Sequence, residues 1–542
     1  MQLDEYTIKY LKGVERDANP LPSNRDARGA YLAQNCSVGR TPGTVEKFGG
    51  RGAIYNSGIS TPAHVVGLME ARLGAGDNLV ACLTGTSLTS QTIGKLTYSG
   101  TSWTFTDIRR IGASTYTPTC PVARRFSASV LKDILVLSDY GQSGLEKWDG
   151  LTTYTEALTL GGTPGFTTLK ARYLHTVADY LFAAHVTEDG TVYPDRIRWS
   201  YAGNPELWAP NDYYTLSTKD GDICMGLANI QNIVVGFKRK SIWMGLFMDA
   251  ASGWNFEQQV AGRGTLSPFG IVTVGNYVVF PSNDGIYIFE GSPEPRKISG
   301  TKISKLFLSG FTEEDFYQII AAVHPTNPEI WFCAQRGAYP TWIYNYETDD
   351  WANASLNYEA LAVGRPTMRL TWANLATAPN RPTWGSMASQ EERTWALAFN
   401  QSSAPRFMGG GTSSASSKAT IFEADTASYY DEVSTTPLTA TYRTLPTDCA
   451  LPSRRKRFSK IILRLKPTAA TLTVRVYVDG VKVGIDITTA ITSSSSDFIE
   501  KAVYCGNVVG TSISIEIESA VVTEFFQLMG YTVVYVPRER LK

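Results

Sequence analysis

Between Asp195 and Phe289 one pattern recurs, and it limits what the whole chain can fold into. Short apolar runs of five to eight residues (Cys224–Ile230, Ile233–Phe237, Ser241–Phe247) are rich in Val, Ile, Tyr, Phe and Trp and are bounded by Gly, Asn, Asp and Pro. Branched and aromatic side chains fit a pleated, half-buried surface, and the bounding residues make turns, so this is the grammar of short strands. After each pair of strands come a tight turn and a third strand with an aromatic centre, Ser241-Ile-Trp243-Met and then Gly285-Ile-Tyr287-Ile-Phe289 behind the turn at Asn283–Gly285.

The same grammar covers most of the chain. Four strands are expected in His64–Thr106, four in Ala123–Ala157, and a third set in Leu169–Trp208; the central stretch supplies a fourth and a fifth. Gln318–His324, Glu329–Ala334, Trp342–Tyr346 and Asp350–Ala354 make a sixth, and Thr394–Tyr430 an incomplete seventh. Equivalent positions repeat at roughly 45 to 50 residues, the period of four-stranded propeller blades and about twice that of a parallel solenoid coil. The expectation is an all-β chain with a β-propeller of about seven blades over residues 61–433.

Residues 1–60 lack periodicity and read as an extended N-terminal arm, with Asp26–Asn35 its one helix-compatible piece. Beyond Pro437 strict alternation in Leu472–Val478 and Ser512–Glu518, with Asp479-Gly480 as a hairpin turn, reads as a C-terminal β-sandwich over 434–542. Ser355–Arg393 and Ser402–Ser417 read as loops or insertions.

Composition narrows the function. Lys+Arg and Asp+Glu both number 50, so the chain carries no net field of the kind a nucleic-acid binder uses. No run of 18 apolar residues exists and the first residues lack signal-peptide order, so neither a membrane span nor export is expected. Seven scattered cysteines without a CxxC read as reduced, buried thiols.

Chemistry-bearing patterns are sparse. His175 and His185 lie ten residues apart on neighbouring strands without an acidic partner in phase, which favours ordinary packing over metal ligation. Asp195, Asp222 and Asp284 fall at strand ends or turns, where Asp caps its own backbone, so a glycosidase carboxylate pair is the weaker reading. No cofactor motif is present. Two basic runs, Lys238-Arg239-Lys240 and Arg454-Arg455-Lys456-Arg457, are solvated edges or, more sharply, contacts for phosphate or an acidic partner.

The run Arg196-Ile-Arg-Trp-Ser-Tyr-Ala-Gly-Asn-Pro-Glu-Leu-Trp208, with Gly221-Asp222-Ile, Val234–Lys238 and Ser241-Ile-Trp243, resembles the propeller core of the tail nozzle (tail tubular) proteins of short-tailed bacteriophages. Gly13-Val14, Asn35 and Val45-Glu-Lys-Phe-Gly-Gly50 are similar to the arm that precedes it in that family. The resemblance implies a non-enzymatic virion protein, made in the host cytoplasm. It also implies a ring of six copies below portal and adaptor proteins that conducts double-stranded DNA and offers a docking surface for fibres or spikes. The competing readings are a receptor- or glycan-binding propeller and a propeller glycosidase. Against the first, Trp103, Trp148, Trp208, Trp243 and Trp342 do not share one blade position.

Overall fold

Asp479 and Gly480, at φ of +50° and +83°, close the hairpin between Thr471–Val478 and Val481–Ala490, with Val478 opposite Val481. Two successive positive φ values match the right-handed twist of the flanking strands, which is why Asp-Gly reads so reliably as a turn. The computed structural model describes residues 3–15, 28–57, 64–74, 76–84, 91–98, 103–111, 115–218, 220–249, 252–308, 311–334, 340–365, 405–413, 416, 418–426, 429–432, 436–468, 471–490, 497–521 and 525–540. Most of the loop expected between Ser355 and Arg393 lies outside them, as do parts of that at Ser402–Ser417.

The fold is all-β apart from short helical segments, and the chain divides into two units. One comprises 53–264 and 359–423, the other 1–52, 265–358 and 424–542.

The first unit is the β-propeller. Its blades are His64–Leu73/Gly76–Thr84/Thr92–Tyr98/Trp103–Asp107, Ser127–Leu131/Ile134–Ser138/Glu146–Trp148/Glu156–Ala157, Leu169–Val177/Tyr180–Glu188/Thr191–Tyr201/Asn204–Thr215 and Cys224–Ile230/Ile233–Lys238/Ser241–Asp249/Gly253–Ala261, each an antiparallel four-strand order. A fifth is built from both ends of the unit. Ala360–Gly364, Arg406–Thr412 and Ala419–Thr426 form one side, and the segment from Ala53 lies beside them, with Ser57 N donating to Ala419 O at 2.9 Å. The first strands of the first four blades pack in succession, and the fifth blade packs against the first. Side chains knit them: Ser127 Oγ accepts from Leu174 N at 2.8 Å, and His175 Nε2 meets Asn229 Oδ1 at 3.0 Å. Five blades occur among the described residues of this unit. The two sets expected as further blades, within 272–297 and 319–354, belong to the other unit.

They belong there because of distant pairing. Ala30–Gln34 lies between Asp350–Ala354 and Ala440–Thr444, so the sixth expected blade continues into a nine-stranded sheet that ends with Ile513–Ser519, Thr471–Val478 and Val481–Ala490. A second sheet pairs Asp4–Lys9 and Val45–Lys47 with Phe525–Arg540, followed by Arg454–Thr468 and Ile499–Gly510. Alternate residues of the two sheets, Val474, Val476, Ile515 and Ile517 on one and Ile461, Leu463, Leu528 and Val533 on the other, meet in one core, the layering expected of a sandwich. The segment 1–60 is therefore not a separate arm. Its strands complete sheets of its own chain, and the piece expected to be helical contains the strand Ala30–Gln34.

Two arm residues explain why the sequence commits to this route. A Cβ on Gly13 would run into the Trp351 carbonyl, while Gly13 N donates to Asp350 Oδ1 at 2.9 Å. Asn35, at φ +53°, donates from Nδ2 to Thr439 O at 2.7 Å and accepts from Ser355 N at 2.7 Å, joining three distant segments. Asn tolerates the left-handed region better than branched residues, and its amide can serve donor and acceptor roles at once.

Candidate binding groove on the fourth blade

Lys238 ends the second strand of the fourth blade and is wholly buried. An unpaired ammonium in such a place costs several kcal/mol. Here its Nζ donates to Leu216 O at 2.5 Å and Thr218 Oγ1 at 2.8 Å. The turn that follows is held by one carboxylate. Asp222 Oδ1 accepts from Arg239 N and Oδ2 from Lys240 N, both at 3.0 Å, and Ser241 Oγ donates to Oδ2 at 3.3 Å. Asp222 therefore shapes the hairpin, and both its oxygens are occupied.

Around this turn lies an open groove of about 430 Å³, lined by Ser217, Thr218, Asp220, Lys240, Ser241 and Gln258 among others. That volume falls in the range of small-molecule sites. The lining alternates donors and acceptors: the Lys240 ammonium and the Asp220 carboxylate are exposed, with hydroxyls and an amide between them. A hydrogen bond from Thr218, which also accepts from Lys238, holds Asp220 below the usual carboxylate range. Such a surface suits a neutral or zwitterionic polyol, whose hydroxyls both donate and accept.

Of the first basic run, then, Lys238 is structural, Arg239 is half-buried and Lys240 reaches the groove. The second run behaves alike. Lys456 is fully buried and donates to Leu451 O at 2.7 Å, Thr511 O at 2.8 Å and Arg454 O at 3.1 Å, while Arg454 and Arg455 are exposed and Arg457 is half-buried. Each run thus turns one lysine inward onto main-chain carbonyls instead of presenting all its charge on one face. The two runs lie in different units. Lys47 repeats the arrangement, with Nζ donating to Val521 O at 2.6 Å. The sequence hides this, since a buried lysine at a strand end has the same spacing as a solvated one.

The other residues singled out are dispersed. His185 is buried, and desolvation with the nearby Arg172 charge pushes it down to about 4. His64 Nδ1 meets Glu359 Oε1 at 2.7 Å, and that hydrogen bond raises its pKa. Asp195 and Asp222 lie in the propeller; Asp284 lies in the other unit, where it accepts from Tyr287 OH at 2.6 Å. No cluster of three His, Cys, Asp or Glu side chains with metal-holding geometry occurs among the described residues.

No family model matches the chain, and no curated protein matches it. Solved structures similar to it include an exo-β-1,3-galactanase from Phanerochaete chrysosporium with galactose (12% identity, 90% of this chain and 100% of that one, TM-score 0.29). A gluconolactonase from Xanthomonas campestris matches at 10% identity over 58% of this chain and 95% of that one, TM-score 0.33. A protein described as YCF48 bound to D1 peptide matches at 9% identity over 57% and 89%, TM-score 0.32. The expectation of a non-enzyme is corrected by these structures: the chains similar to this one include enzymes, so a propeller without a familiar motif does not place it outside catalysis. At such identities and TM-scores the likeness assigns no substrate or reaction.

Proposed function

We propose that this chain is a virion component of a bacteriophage tail, of the nozzle class, whose chain folds into a propeller unit and a two-sheet unit. The observation that carries the reading is where the family-like residues sit. Gly13 and Asn35 join the arm to segments more than 300 residues away, and Trp208 and Trp243 are buried in the third and fourth blades. The residues that carry the resemblance thus take part in holding the architecture together, which supports the reading. The test is immunogold electron microscopy of purified particles with antibody against the chain. Label confined to the tail is expected; label over the head, or none on intact and disrupted particles, would end the proposal.

A second reading is a glycan-binding propeller, favoured by the hydroxyl- and carboxylate-lined groove beside Lys240. Glycan-array binding that falls about tenfold in Asp220→Asn and Gln258→Ala supports it. A blank array, or binding indifferent to both substitutions, removes it.

A further inference from the structure

A second polar site stands at the junction of the second and third blades. Tyr140, in the turn after Ile134–Ser138, adopts φ +62°, unusual for a bulky residue, and is 5% exposed. Strained backbone of this kind persists where the surroundings enforce it. Two guanidinium groups face its ring: Arg172, from the first strand of the third blade, at 5.0 Å from the centroid, and Arg124, from the lead-in to the second blade, at 5.7 Å. Tyr173 packs edge-on against the same ring, with the two hydroxyls 3.4 Å apart. Lys170, on the same strand as Arg172, donates to Gln142 O of this turn at 2.6 Å.

Arg124 is engaged elsewhere as well, with Nη1 donating to Ala123 O at 3.1 Å, so the availability of a cation at this ring turns on Arg172. The acid of the turn, Asp139, is fully buried, and its oxygens accept from Gln142 N, Ser143 N and Thr119 N at 2.8 to 3.3 Å. It is used to shape the loop. Arg172 is half-buried, and among the described residues no hydrogen bond or ion pair engages its guanidinium besides the contact with the ring, which leaves a fork of donors in a tyrosine-lined setting. Guanidinium forks match the two coplanar oxygens of a carboxylate or phosphate, and stacking on a ring restricts the fork before a ligand arrives.

We propose that Arg172, with Arg124 and the Tyr140 and Tyr173 hydroxyls, forms an oxyanion-binding site on the propeller, for a phosphate or carboxylate group. The groove beside Lys240 plays no part in it.

The experiment is calorimetric titration of the full chain at low ionic strength with inorganic phosphate and, separately, with glucuronate. Saturable binding of at least one is expected, and the better-bound anion says whether the group is a phosphate or the carboxylate of an acidic sugar. Arg172→Gln should weaken it about tenfold or more, Arg172→Lys to an intermediate degree, and Arg464→Gln, at a half-buried arginine of the other unit paired with Glu500, not at all. No saturation with either anion overturns the site, as does wild-type affinity in Arg172→Gln. Should that variant fail to fold, Arg172→Lys decides, because it keeps the charge but loses the fork; undiminished affinity in it overturns the site equally.

Discussion

Arg40 grips the carboxylate of Glu329, 289 residues away, with two hydrogen bonds of 2.7 and 2.8 Å, one to each oxygen. The same guanidinium reaches Asp425 at 2.7 Å, and Asp425 in turn meets His324 Nε2 at 3.1 Å. His324 Nδ1 accepts from Asn327 N at 3.1 Å and Thr326 N at 3.3 Å, so the ring proton sits on Nε2 and is donated to Asp425. Ser37 Oγ and Trp331 Nε1 fill the remaining positions on Glu329. One buried network thereby joins N-terminal, central and C-terminal segments within the two-sheet unit.

Arg40→Met should destabilise that unit by about 3–5 kcal/mol, since it leaves two buried carboxylates without their cation. Urea unfolding monitored by tryptophan fluorescence measures it. Adding Glu329→Gln and Asp425→Asn should recover part of the loss, because neutral amides are cheaper to bury than unpaired charges.

Acid should act on this network at low pH. Burial works against ionised Asp425, but Arg40 and His324 outweigh it and hold the carboxylate near 2, against 3.8 ordinarily. Glu329 is likewise held below its usual range by Arg40, against the opposing pull of burial. The folded state keeps these groups ionised where the unfolded chain is already protonated. Their stabilisation is therefore complete above about pH 4.5 and lost as pH falls toward 2, about 2 kcal/mol for Asp425. Denaturation midpoints from pH 5 to 2 should fall, and Asp425→Asn should flatten the slope.

The propeller should respond in an earlier window. His185 stays neutral in the folded state down to about 4, whereas the unfolded chain takes up its proton near 6.5. The advantage of the folded state is complete above pH 6.5 and is lost between there and pH 4, about 2–3 kcal/mol. His185→Gln should remove this dependence while leaving the lower window intact, which hydrogen exchange resolved by segment can separate.

The two lysines of one basic run should behave oppositely. Lys238→Met strands the Leu216 carbonyl and should cost about 1–3 kcal/mol, whereas Lys240→Met should stay within about 0.5 kcal/mol. Thermal unfolding of the two variants, side by side, tests the burial directly. Equal effects would mean that both side chains face solvent.

Strand identity, hairpin turns and the repeating four-strand set were legible in the chain because they are local. Cys224–Ile230, Gly285–Phe289 and the Asp479-Gly480 turn follow from side-chain alternation and backbone preference within a few residues. Which strands share a sheet was not legible. The sets within 272–297 and 319–354 carry blade grammar, yet Ala30–Gln34 inserts between Asp350–Ala354 and Ala440–Thr444 and draws that segment into the two-sheet unit. Pairing across hundreds of residues depends on edges made available by the rest of the fold, and no local spacing encodes it. The same holds for Lys238 and Lys456, whose inward turn is decided by carbonyls that only the folded chain brings within reach.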